Sequence, residues 1–203
     1  MIGIPLGLLY SNAGEWLIHK HILHGLGKNR SSFWSFHWHE HHAKARKHDM
    51  HDDQYEKTLF SWDPQTKELV SLLGLAAIHL PLLPIAPFFT GTVLWSMQRY
   101  YRMHKHSHLD GQWAKDDMRW HYDHHMGKDQ NSNWCVTHPF FDHVMGTRKA
   151  YAYGVGAPKD IPAPENETPI VAMLNMLRQA LGDRAKLVPV AGTHEVVEAK
   201  RAA

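Results

Sequence analysis

Cysteine is almost absent from this chain: Cys135 is the only one in 203 residues. An internal disulfide is therefore excluded, and with no CxxC pair nothing suggests a thiolate metal site. Such usage suits a reducing compartment such as the cytosol, and Cys135 reads as a packing residue. Net charge is nearly absent too. The 22 Lys and Arg almost cancel the 20 Asp and Glu, leaving +2, a balance that gives no sign of a nucleic-acid partner. There is no Gly-rich phosphate loop, so a nucleotide cofactor carried by this chain is not expected. No two-residue alternation marks strands. The opening, MIGIPLGLLY, lacks the basic leader and small-residue cleavage site of a secretory signal.

Histidine is what the chain has in abundance. Of 19 histidines, 13 fall in four clusters: His19, His21 and His24; His37, His39, His41 and His42; His104, His106 and His108; and His121, His124 and His125. Neutral imidazole is the commonest protein metal ligand. On a helix, positions i, i+3 and i+4 share a face, so HxxxH and HxxHH each aim rings at one point. Four clusters offer more rings than one ion accepts, which points to a site with two metals.

Two apolar stretches suggest a membrane. One runs from Ile2 to Ile18, broken by Ser11, Asn12 and Glu15. The other runs from Leu69 to Met97 without a charge. A span needs about 20 apolar residues, and Pro81, Pro84 and Pro87 interrupt the second stretch. A short helical hairpin is expected, up from Leu69 to about Leu80 and down from about Phe88 to Arg102. Its tip is uncharged, whereas Lys20, Lys28, Arg30, Lys44, Arg46, Lys47, Arg99, Arg102 and Lys105 gather at the other ends. By the positive-inside rule those ends and all four clusters face the cytoplasm. The alternative is a hairpin buried in a soluble protein, which the mean hydropathy of −0.45 keeps open.

The remainder reads as helices and loops. Residues 33–48 suit a helix entered from Ser31 and Ser32, 49–68 a polar loop turning at Asp63 and Pro64, and 114–126 a further short helix. THPFFDHVMGT is expected to pack back over the site. Residues 154–169 have linker composition, an amphipathic helix is expected at about 170–181, and the tail carries little pattern. The fold class is therefore all-α: short transmembrane helices under a cytosolic histidine-rich cap. Residues 1–153 form the domain, with 154–203 as linker, short helix and tail.

In order, the clusters are HxxxxH (His19, His24), HxxxHH (His37, His41, His42), HxxxH (His104, His108) and HxxHH (His121, His124, His125), with the hairpin between the second and third. This series, followed by NWCVTHPFFDHVMGT, resembles the histidine-box membrane di-iron enzymes. The nearest is the fatty acid hydroxylase (sterol desaturase) superfamily, with the carotenoid hydroxylases as a neighbouring match. The resemblance covers about residues 10–150. It implies two iron ions, for which zinc or another divalent metal can substitute, and O2-dependent oxidation of an unactivated C–H bond in a lipid. Its ligands carry over to His19, His24, His37, His41, His42, His104, His108, His121, His124 and His125. Many members have HxxHH in the second box, where this chain has Trp38. Either His37 or His39 fills that place, and the face His37 shares with His41 favours it.

Glu15, His39, Asp117, His138 and Asp142 are the candidates for groups that orient these rings from behind. His21 and His106 lie off the helical spacing, and the other histidines carry no ligand signal. No ExxH pair offers a bridging carboxylate. Electrons would come from an external donor, a ferredoxin, a cytochrome or a reductase. The boxes leave open hydroxylation, desaturation or carotenoid-type chemistry. A non-catalytic membrane metal-binding protein is the competing class.

Overall fold

The structure is a computed structural model that describes residues 2–59, 61–151 and 173–177. Among the described residues it is all-helical. α1 (Gly3–Leu17) runs without interruption into a π-helical segment, Ile18–Leu23. A second π-helical segment, His37–His42, leads into α2 (Ala43–Lys47). Then come α3 (Pro64–His79), α4 (Pro87–Leu109), α5 (Gly111–Asp117), α6 (Arg119–Met126) and α7 (Phe140–Val144).

The hairpin is present with shifted boundaries. α3 starts five residues before the expected Leu69, because Asp63 accepts the backbone N–H of Thr66 at 3.0 Å and Pro64 occupies the first turn. Asp63-Pro64 is thus a helix start rather than a loop turn. α3 gives way to a 3₁₀ turn at Leu80–Leu82, and α4 begins at Pro87. The second helix expected at 114–126 is two helices. Asp110 caps α5 by accepting from Trp113 N at 2.9 Å, and Met118, at φ −124°, breaks it from α6. Ser31 and Ser32 do not cap the 33–48 segment; Phe36 occupies that place without a side-chain bond.

α1 and α4 lie backbone to backbone. A Cβ on Gly3 would stand 2.7 Å from Phe89 N, and one on Gly7 would stand 2.8 Å from Thr92 Cβ. This is the small-xxx-small contact that brings helices close. α1, of 15 residues, and α3, of 16, extend about 22 and 24 Å, against a hydrocarbon core of about 30 Å. No described helix is long and apolar enough to cross a membrane. Of the expected transmembrane helices, α1 and α3 are thus shorter than a span requires, whereas α4, of 23 residues, is long enough but carries charged and histidine residues through its second half. α3 and the hairpin turn nonetheless expose large apolar side chains, Ile78 at 71% and Ile85 at 81% among them.

The interior is unusual in kind. Eight of its bulkiest fully buried side chains are histidines: His24, His41, His42, His104, His108, His121, His124 and His125. Small apolar clusters sit around this imidazole centre. Leu8, Phe140 and Met176 form one, Trp16, Trp134 and Cys135 another, and Met50, Ala114 and Tyr122 a third. Residues 173–177 are helical and close the first cluster. The linker at 154–169 and the rest of the 170–181 segment lie outside the described residues.

Candidate metal centre

The π-helical segments explain the spacing of the first two boxes. His24 N donates to His19 O, five residues back, at 2.9 Å. A turn closed by i→i+5 bonds returns residues five apart to one side, and such turns concentrate at functional sites. His19 and His24 thereby meet, and so do His37 and His42.

Two groups result. His19, His24, His37, His42 and His124 each offer a ring nitrogen, all within 4.8 Å of one another. His41, His104, His108 and His125 do the same. Consecutive residues divide between the groups: His41 and His42 separate, as do His125 and His124. Neighbours on a helix point about 100° apart, so each doublet straddles both groups. His42 stacks on His125 at 4.2 Å between centroids, which sets the groups side by side. His121 stands at the edge of the second, its Nε2 3.3 Å from that of His108.

The rings are held from behind. The Nδ1–H of His19 donates to Trp134 O at 2.6 Å, that of His124 to Ser132 O at 2.7 Å, and that of His108 to Met50 O at 2.8 Å. His41 donates to Asp52 at 3.0 Å and His104 to Glu68 at 2.9 Å. Tyr55 O–H also donates to Glu68. Two non-glycine residues with left-handed backbone shape the carbonyl supports: Met50 at φ 77° supplies one, and Asn133 at φ 58° lies between Ser132 and Trp134.

A proton on Nδ1, inferred from these acceptors, leaves the Nε2 lone pairs of His19, His41, His104, His108 and His124 pointing inward, whereas Nδ1 of His42 lies 2.8 Å from the Gln130 amide nitrogen. Nε2 of His19 faces Nε2 of His37 at 3.0 Å, and His42 faces those of His24, His37 and His124 at 3.1–3.2 Å. Nε2 of His41 and of His104, and both ring nitrogens of His125, are buried without a hydrogen-bond partner. Lone pairs aimed at one another in a dry interior are costly, and a cation between them removes that cost. Metal–nitrogen bonds of about 2.1 Å place ligand nitrogens about 3.0 Å apart at right angles and about 3.4 Å apart at tetrahedral angles. The observed 3.0–3.2 Å separations fit that range. Burial above all, with neighbouring rings adding to it, pushes His19, His37, His42, His108, His121 and His125 well below the ordinary histidine range. His124 is pushed down to about 3, again chiefly by burial. Neutral rings are the form that binds metal.

Nine of the ten sequence-predicted ligands therefore lie in the two groups, with His121 adjoining. His37 is brought in as expected, for a different reason: its facing partner is His42, five residues on, whereas His41 belongs to the other group. His39 turns outward to Lys28 O at 3.0 Å. Glu15 does not receive a ligand ring. It accepts from Val136 N, Thr137 N and Thr137 Oγ1 at 2.6–3.0 Å, pinning the closing segment to α1. Asp142 acts one step removed, accepting from Trp134 N and Cys135 N and so shaping the loop whose carbonyl meets His19. Asp117 is exposed at the end of α5. His138 packs on Trp120, outside both groups. Asp52 and Glu68 were missed, since nothing in their spacing links them to rings 11 residues before and 36 residues after them.

Beside the groups lies an apolar cavity of about 360 Å³ between α1, α3 and α4. His19, His37 and His104 line one end, and Tyr10, Ile78 and His79 the other. Comparisons with protein-family models, with curated proteins and with solved structures found no match to this chain.

Proposed function

We propose that this chain is a membrane-embedded non-haem di-iron oxygenase that hydroxylates an unactivated C–H bond of a lipid-like substrate. The observation that carries this reading is the meeting of two imidazole groups with the inner end of an apolar cavity. Iron bound there would supply dioxygen activation and removal of the substrate hydrogen. The overall balance is substrate C–H, O2, two electrons and two protons giving alcohol and water, with the electrons from an external ferredoxin, cytochrome or reductase.

The chain's own residues do the positioning. Asp52, Glu68 and the carbonyls of Met50, Ser132 and Trp134 fix the rings. Leu72, Leu75, Val93 and Met97 give the cavity a wall that excludes water and aligns an apolar chain. The exposed Leu73, Ile78, Ile85 and Phe88 seat the hairpin in the bilayer, and the basic ends of the helices keep the histidine end on the cytoplasmic side.

The test is the purified, iron-loaded and reduced protein supplied with membrane lipids and ¹⁸O-labelled dioxygen. Two irons per chain and label in a lipid product are expected. Oxidation of water-soluble compounds alone, or a single bound metal, overturns the reading.

A further inference from the structure

The outer end of the cavity is polar, although it lies in the most apolar part of the chain. Tyr10 Oη is 2.9 Å from His79 Nε2, and His79 Nδ1 is 2.7 Å from Leu75 O. The carbonyl takes the Nδ1–H, so Nε2 accepts from the phenol and the phenol oxygen is left with acceptor capacity. On the next residue of α1, Ser11 Oγ is buried without a hydrogen-bond partner. All three side chains line the cavity. A hydroxyl stranded in an apolar chamber is costly unless something meets it.

The charge of the lining narrows what that is. No Lys or Arg lines the cavity. Its two carboxylates, Glu15 and Glu68, are already engaged by Thr137 and by Tyr55 with His104. A negatively charged head group would find acids and no cation.

We propose that Tyr10, Ser11 and His79 hold an uncharged oxygen function of the substrate, an alcohol or a carbonyl, at the cavity mouth. The substrate class is thus a neutral oxygenated lipid rather than a free fatty acid or a plain hydrocarbon. This deepens the reading of the cavity as the substrate channel and rests on it. Helical rise puts Tyr10 roughly 14 Å from His19 along α1, and His79 roughly 16 Å from Glu68 along α3. The carbon attacked lies on the order of 15 Å from the oxygen.

The experiment is displacement of a fluorescent polyene alcohol from the full-length protein in lipid nanodiscs. The competitors are 1-hexadecanol, hexadecane and hexadecanoate, each corrected for partition into lipid. The alcohol is expected to compete about tenfold better than the other two. Substituting Tyr10→Phe, Ser11→Ala and His79→Leu together is expected to cut that advantage below about threefold. Equal competition by all three on the wild-type protein, or a preference for the carboxylate, overturns the proposal, as does an advantage that survives the triple substitution. Since binding is read without turnover, an alcohol preference in a protein that oxidises nothing would sink the oxygenase reading alone.

Discussion

Glu68 on α3 accepts the Nδ1–H of His104 on α4 at 2.9 Å, and Asp52 accepts that of His41 at 3.0 Å. Both carboxylates stand behind the second group, whereas the first leans on the Trp134 and Ser132 carbonyls. Groups behind a histidine ligand raise its basicity and fix its ring. Glu68→Gln is expected to weaken metal binding at the second group by about 10- to 100-fold and spare the first. Competition with a graded chelator checks this; equal weakening at both would contradict it.

The doublets allow the groups to be emptied separately. His41→Ala should leave about one bound metal, and His42→Ala about one at the other group, because each ring serves a different side. His39→Ala, whose ring bonds Lys28 O at 3.0 Å, should retain both. Elemental analysis after desalting decides the matter.

Much of this was legible in the chain because the boxes are local patterns. Their spacing placed His104 with His108, and the ten rings came from the resemblance to the histidine-box enzymes. The uncharged run from Leu69 to Met97 and the prolines near its middle gave the hairpin. What could not be read is what depends on backbone distortion or on distant partners. The π-helical segments reassign His37 from His41 to His42, and no residue in HWHEHH announces them. Glu68 looked like the end of a polar loop, since its ring partner lies 36 residues away. Glu15 stood one turn before His19 yet is claimed by Val136 and Thr137.

Gly14 lines the cavity, and a Cβ there meets nothing within 4 Å. Gly14→Ala should stabilise α1 by about 0.5–1 kcal/mol. Gly14→Leu should fill the chamber, lowering turnover of long substrates at least tenfold with metal content unchanged. Product analysis over a chain-length series would expose the shift, and undiminished turnover of the longest would refute it.

Acid should destabilise the metal-free protein. His124 titrates at about 3 in the fold, against an ordinary 6.5. Between those values the unfolded chain binds the proton and the folded chain does not. Stability is therefore full above about 6.5 and is lost progressively as pH falls toward 3. The other lowered rings act in the same sense. Melting temperatures of the chelated protein from pH 8 to pH 4 are expected to fall below 6.5; a flat profile would count against it.

The seam where Gly3 and Gly7 meet Phe89 and Thr92 sets the angle between α1 and α4. α1 and α4 leave it in the same direction, and His19 lies about 18 Å beyond Gly7. A tilt of about 5° at the seam would swing that ring by about 1.6 Å, enough to spoil a reacting geometry. The placement of the imidazole groups thus depends on a patch that has no chemistry of its own.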